Sequence, residues 1–267
     1  MTAPERPARS LVERLAIDQV SSDSFVGRRP PATGHVFGGL LIAQALRAAA
    51  STVGGRRPHS LHATFLEAGV PGRQVRYDVE RTRDGTSFAT RRLVARQGDR
   101  AVLLLTADFQ RDEDGLTYEA SATSGVPGPE SCPAGRYDSP WFVSRDVPVE
   151  SAPPLPHHAR RAWFHPTTPV PDDPGLHLQA LAYLSDHGPT RAAREPHAAL
   201  ADDAKRLSVS LDHSVWFNGG ADVNGWLLSE LVPVVTGHGR GLTMGSIRTR
   251  DGALLATVAQ EVLLRSR

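Results

Sequence analysis

Residues 209–217 read VSLDHSVWF. Val209, Leu211, Val215, Trp216 and Phe217 give the segment the β-branched and aromatic character of a buried strand. Asp212 and His213 interrupt it. Aspartate is depleted in strands, and a carboxylate taken out of water is costly unless it is paired. Asp212, His213 and Ser214 are also the three residue types of a nucleophilic triad. Side chains alternate along a strand, so Asp212 and Ser214 share a face while His213 points away, and consecutive residues do not form triad geometry. Asp212 is left with two readings: a hydrogen-bonded structural acceptor, or a carboxylate that does chemistry.

Other chemistries find little support. GHGRG, Gly237 to Gly241, imitates a dinucleotide fingerprint, but a strand follows it where a helix is required. The 11 histidines show no HExxH or Cys-His spacing, so no metal site is expected. A GxSxG nucleophile elbow is absent. Cys132, in ESCPAG, is the single cysteine and reads as inert; a disulfide within the chain is impossible, which fits a reducing compartment.

The elements that must position Asp212 follow from periodicity. FVGRRPPATGHVFGGLLIAQALRAAASTV opens with turn residues and becomes helical from about Gly38, with Leu41, Ala45 and Ala48 at helical spacing. SLHATFLEAG is a strand. RQVRYDVERTRDG and SFATRRLVARQGD alternate at period two around a turn at Asp84–Gly85, and RAVLLLTADFQ is a further buried strand. Residues 113–160, rich in Pro, Gly, Ser and charge, read as a linker. The pattern then returns. DDPGLHLQALAYLSD is a helix with Asp172–Asp173 before it and Pro174 in its first turn. VSLDHSVWF and GWLLSEL are strands, and GLTMGSIRTRDG and ALLATVAQEVLLR form a hairpin around Asp251–Gly252. SLHATF corresponds to SLDHSVWF, and TRRLVARQGDRAVLLLTADF to SIRTRDGALLATVAQEVLL, an internal duplication. Helix-then-meander, twice in one chain, predicts an α+β double hotdog: an N-terminal hotdog over 1–112, the linker over 113–160 and a C-terminal hotdog over 161–267.

Composition narrows the partners. With 267 residues, 40% hydrophobic content and a net charge of +1, no strong nucleic-acid or membrane field is expected. The N-terminus lacks a signal-like apolar core, and no stretch approaches the roughly 18 apolar residues of a membrane span. A cytoplasmic protein is the expectation. Self-association beyond the internal pairing of two hotdogs is left open.

HVFGGLLIAQALRAA, HSLHATFL, DGTSFATRRLVARQ, LAYLSD, LDHSVWF and TRDGALLATVAQEVLLR resemble the acyl-CoA thioesterase II family in order and spacing across nearly the whole chain except the linker. The resemblance implies acyl-CoA thioesters as substrates, coenzyme A entering only as part of the substrate, and no other cofactor. It also implies a site in the C-terminal half, where an Asp, a Ser or Thr, and a Gln hold the attacking water. Asp212 matches the aspartate and Gln260 the glutamine. The hydroxyl position falls on Val234, which can neither donate nor accept; Thr236, two residues later and roughly 7 Å further along the strand, is a candidate substitute. Leu40 and Glu67 also depart from the family pattern, where Gln and Arg often stand.

Water attacking a thioester carbonyl needs a base or orienting carboxylate, a group that holds the water in line, and positive dipoles at the developing oxyanion. Helix N-termini near Gly38, Gly39 and Gly175 are candidate oxyanion donors. Arg91, Arg92 and Arg248 are candidates for CoA phosphates, with solvated strand faces the commoner explanation. Because of Val234, the expected function is a divergent acyl-CoA thioesterase with weak activity on ordinary fatty acyl-CoAs. The alternatives are acyl transfer to another nucleophile in a specialised pathway, such as a sulfur donor yielding a thiocarboxylic acid, or a non-catalytic acyl-CoA binder.

Overall fold

The computed structural model describes residues 8–28, 30, 34–119, 125–137, 139–149, 158–198 and 206–266. The chain divides into two compact units. The first is Met1–Asp112 with Val170–Leu184, and the second is Glu113–Pro169 with Ser185–Arg267.

In the first unit, α1 (Leu11–Arg14) precedes β1 (Ile17–Ser21), β2 (Ser24–Gly27) and α2 (Gly38–Ala50). Four strands follow: β3 (Arg57–Phe65), β4 (Arg76–Asp84), β5 (Phe88–Gln97) and β6 (Arg100–Gln110). The sheet order is β1-β2-β4-β5-β6-β3, with every pair antiparallel. Helix α2 is buried from Gly39 to Ala49 except at Arg47, as a helix apolar on nearly every side must be. It packs on β3, β4, β5 and β6, whose inward residues alternate; Ala89, Arg91, Leu93, Ala95 and Gln97 of β5 are all buried.

The buried Arg91 departs from the solvated face expected of it. Its guanidinium closes the C-terminal end of α2. It donates to Thr52 Oγ1 (2.8 Å), the Thr52 carbonyl (3.0 Å), the Arg83 carbonyl (2.9 Å) and Asp84 Oδ1 (2.7 Å). A cation there meets the unsatisfied carbonyls and negative dipole of the helix end. Asp84 sits where the β4–β5 turn was expected and doubles as the counter-charge.

The second unit holds β7 (Phe142–Asp146), β8 (Arg160–Pro166) and α4 (Pro189–Arg194). Its C-terminal strands are β9 (Arg206–Ser210), β10 (Asp212–Phe217), β11 (Leu227–Gly237), β12 (Arg240–Thr249) and β13 (Leu254–Ser266). Helix α3 (Pro174–Ser185) lies in the first unit up to Leu184 and hands over to the second at Ser185. The sheet order is β10-β13-β12-β11-β8-β7, and β9 also pairs with β13. Gly188, at φ 110°, breaks the path between α3 and α4; an added Cβ would lie 2.8 Å from Leu231 Cδ1 and 2.9 Å from the Tyr137 hydroxyl. Helix α4 packs on β11, β12 and β13.

Residues 113–160 are more than a linker, although 120–124, 138 and 150–157 lie outside the described residues. β7 is an edge strand antiparallel to β8. Cys132 and Val147 are buried with Trp163 and Leu228, and the Trp163 indole donates to the Pro127 carbonyl at 2.8 Å. Arg250 pairs with Glu130 at 2.6 Å. Apolar anchors are sparse among Pro and Gly here, so no periodicity announces them.

GHGRG forms the turn between β11 and β12, with His238 at φ 51° and Gly239 at φ 74°. Among the described residues, no helix is long and apolar enough to cross a membrane, and no cluster of His, Cys, Asp and Glu has metal-binding geometry.

Candidate active site

The anomaly in VSLDHSVWF resolves into a β-bulge. Ser210 stands opposite Val262 of β13, and Ser214 opposite Ala259. Three residues, Leu211 to His213, therefore face two, Gln260 and Glu261. The Leu211 amide donates to the Glu261 carbonyl at 2.9 Å. The Glu261 amide donates to Asp212 Oδ1 at 2.7 Å. The carboxylate thus replaces a main-chain carbonyl at the point where the ladder slips, which is how a core strand accommodates it. Asp212 is half-buried, and its Oδ2 accepts no hydrogen bond from a described residue.

The extra residue also changes which side chains meet. Gln260 and Val262 are two apart on β13 and both fully buried, so they share the inner face. Ser210, opposite Val262, and His213, whose ring meets the Gln260 amide, join them there although they are three apart in sequence.

The result is a buried hydrogen-bond chain. His213 Nε2 lies 2.8 Å from Ser185 Oγ, and His213 Nδ1 lies 2.5 Å from Gln260 Oε1. Gln260 Nε2 donates to Ser210 Oγ at 2.7 Å and to Thr190 Oγ1 at 3.3 Å. Burial pushes His213 down to about 4, against a smaller upward pull from Gln260, so the imidazole is neutral near pH 7. An amide oxygen only accepts, so Nδ1 carries the ring proton and Nε2 accepts from the Ser185 hydroxyl. Thr243 of β12 stands opposite Gln260, 1% exposed, and donates to the Pro189 carbonyl at 3.1 Å, fixing the start of α4 beside the chain.

Asp212 and Gln260 therefore reach the same bulge, but no hydrogen bond joins them among the described residues; Gln260 is held by His213. Val234 is the extra residue of a second bulge, between Pro233, opposite Thr243, and Val235, opposite Leu242. It is 53% exposed. Thr236 Oγ1 lies 2.8 Å from His197 Nε2. Neither Val234 nor Thr236 makes a hydrogen bond to Asp212 or Gln260 among the described residues.

Gly38, Gly39 and Gly175 belong to the first unit. An added Cβ at Gly39 would lie 2.6 Å from the Tyr183 carbonyl, and Phe37 and Tyr183 meet edge-on at 4.9 Å, so that glycine serves a close approach of α2 to α3. The Gly175 amide donates to Asp173 Oδ1 at 2.7 Å, and an oxyanion arriving there would have to displace that carboxylate. Of the arginines considered for phosphate, Arg91 is buried, Arg248 bonds Glu119 and the Gly252 carbonyl, and Arg92 is exposed beside Glu80.

Ser185, Thr190, Ser210 and Thr243 were not singled out from sequence. One signal existed: Thr243 and Gln260 lie equally far from the Asp251–Gly252 turn, so hairpin counting pairs them. In the first unit the corresponding strands put Leu61 opposite Ala107, both buried. A cavity of about 600 Å³ in that unit is lined by Arg73, Arg76 and Arg96 among others, and one of about 450 Å³ in the second unit by Trp163, Leu228 and Arg250 among others. Neither is lined by Asp212 or Gln260.

Comparison with known proteins agrees with the fold and the sequence pattern. The profile of the acyl-CoA thioesterase N-terminal domain matches residues 27–110, and that of the acyl-CoA thioesterase C-terminal domain matches 106–264. Acyl-coenzyme A thioesterase 8 of Homo sapiens is 32% identical, over 94% of this chain and 87% of its own length. Acyl-CoA thioesterase 2 of Haemophilus influenzae is 29% identical, over 96% and 97%. The crystal structure of an acyl-CoA thioesterase II from Mycobacterium marinum superposes with a TM-score of 0.86 at 36% identity, covering 96% of this chain and 98% of that one. A hot dog fold protein from Alicyclobacillus acidocaldarius matches with a TM-score of 0.78 at 20% identity, over 96% and 97%, a likeness of fold alone. The architecture is a double hotdog.

Proposed function

The chain belongs to the acyl-CoA thioesterase family, and from that premise we propose that it hydrolyses acyl-CoA thioesters at the Asp212 bulge. The observation that carries the reading is the state of the Asp212 carboxylate: Oδ1 is tethered by the Glu261 amide, and Oδ2 accepts no hydrogen bond from a described residue. A carboxylate fixed in this way is suited to take a proton from water as the water oxygen attacks the thioester carbonyl. The new C–O bond forms, the tetrahedral oxyanion collapses, and the C–S bond breaks. The proton held by Asp212 passes to the departing thiolate, giving a carboxylic acid and free CoA. Bulges that re-aim a side chain recur next to active sites, which supports the reading.

Coenzyme A enters and leaves as part of substrate and product. The low turnover expected from Val234 rests on that residue occupying the water-holding position, and its premise lapses where other hydroxyls serve. The single cysteine supports a reducing compartment, and we infer a cytoplasmic one.

The test is thiol release from a panel of acyl-CoAs by the purified chain, with the acyl product identified by mass in the presence and absence of sulfide. Free carboxylic acid in both arms is the expected result. A thiocarboxylic acid formed only with sulfide would establish transfer instead. Saturable acyl-CoA binding without CoA release in either arm would establish a binder.

A further inference from the structure

We propose that Ser210 and Thr190 together supply the hydroxyl that holds the attacking water, the task Val234 cannot perform. The inference rests on the thioesterase reading above and adds the residues that orient the nucleophile.

Gln260 starts the argument. Its amide oxygen is taken by His213, and its amide nitrogen has two hydrogens. One goes to Ser210 Oγ at 2.7 Å and the other to Thr190 Oγ1 at 3.3 Å. Gln260 is 0% exposed and fully engaged, so it gives no free donor to a water molecule. The two hydroxyls differ from it. Each accepts from Gln260, so each keeps its own O–H, and neither O–H donates to a described residue. Both residues are half-buried, open enough to meet water where Gln260 is not.

Their positions are built. Ser210 ends β9, and the bulge after it carries Asp212. Thr190 is in the first turn of α4, whose start is fixed by the Thr243 hydroxyl on the Pro189 carbonyl. Two hydroxyls thus converge on the amide nitrogen of one glutamine, and Ser210 adjoins the bulge that carries the proposed base. A water accepting from either hydroxyl keeps both hydrogens, one of them for Asp212, and a lone pair for the carbonyl carbon. Gln260 acts through the hydroxyls and is a positioning residue.

The experiment measures kcat and KM on one good acyl-CoA for wild type, Ser210→Ala, Thr190→Val, the double variant, Thr190→Ser and Val234→Thr, with thermal unfolding of each. Losing one positioned donor typically costs about 10²–10³ in rate. The double variant is expected to lose that much in kcat, with KM little changed. Each single variant keeps one hydroxyl and is expected to lose about tenfold, a partial share of the same loss. Thr190→Ser retains the hydroxyl and the rate, and Val234→Thr adds nothing. If the double variant unfolds, the single variants decide. Wild-type kcat in both, beside an inactive Asp212→Asn, overturns the assignment and leaves the thioesterase reading standing. A large gain from Val234→Thr overturns it equally. A wild-type chain that releases no CoA removes the reading on which it rests.

Discussion

His213 Nδ1 lies 2.5 Å from Gln260 Oε1, and both residues are 0% exposed. A neutral imidazole locks the amide in one orientation, and that orientation aims its two hydrogens at Ser210 and Thr190. Replacing His213 by Leu leaves Gln260 Oε1 without the imidazole donor. An unsatisfied buried polar group costs about 1–3 kcal/mol, so urea unfolding of His213→Leu is expected to show a loss in that range. With the amide free to turn, kcat falls more than KM changes. Wild-type stability together with wild-type kcat contradicts the lock.

Acid lability follows from two buried imidazoles. Burial holds His187 and His213 down at about 4, against an ordinary 6.5. Between those values the unfolded chain binds a proton at each histidine that the folded chain does not. Stability therefore falls as pH falls through the window from 6.5 to 4, by up to about 1.4 kcal/mol per pH unit for each group. Above 6.5 both are neutral in either state and contribute no slope. Urea midpoints measured across that window test this, and His213→Gln is expected to shallow the slope. The difference in slope between wild type and variant isolates the contribution of His213.

Arg91 is structural. It is 1% exposed and ties the end of α2 to β4 through Thr52, Arg83 and Asp84. Arg91→Met removes the donor from the Thr52 oxygens and the Arg83 carbonyl, and because an unsatisfied buried polar group costs about 1–3 kcal/mol, a loss of at least that size is expected. Calorimetry measures the loss. KM for acyl-CoA in the molecules that remain folded is expected to stay unchanged; a raised KM marks Arg91 as a phosphate contact after all.

The elements were legible where periodicity is strong. The all-round apolar α2 and the alternation of β5 and β6 follow directly from residue order, as does the turn at Asp251–Gly252. β7 and the packing of Cys132 and Trp163 were not legible, because their apolar residues are few and separated by Pro and Gly. At the site, the oddity of Asp212 was visible, and its cause was not. A bulge adds one residue to a strand without altering composition or propensity, and only the partner's register reveals it. The same shift placed His213 and Ser210 on the face of Gln260, which alternation along VSLDHSVWF alone assigns otherwise. Val234 stands at the hydroxyl position by residue order alone, and another bulge sits there between Pro233 and Val235.

The central claim is that Asp212 serves both the bulge and the reaction, and Asp212→Asn separates the two. Asparagine keeps an oxygen to accept from the Glu261 amide, now 2.7 Å from the carboxylate, and loses the base. The measurement is kcat for CoA release by Asp212→Asn, taken beside its thermal unfolding and that of Asp212→Ala. The account predicts that Asp212→Asn unfolds close to wild type while kcat falls by about 10²–10⁴, and that Asp212→Ala loses both activity and stability. An Asp212→Asn variant that turns over acyl-CoA at the wild-type rate would contradict it, and Asp212 would then be a structural acceptor only.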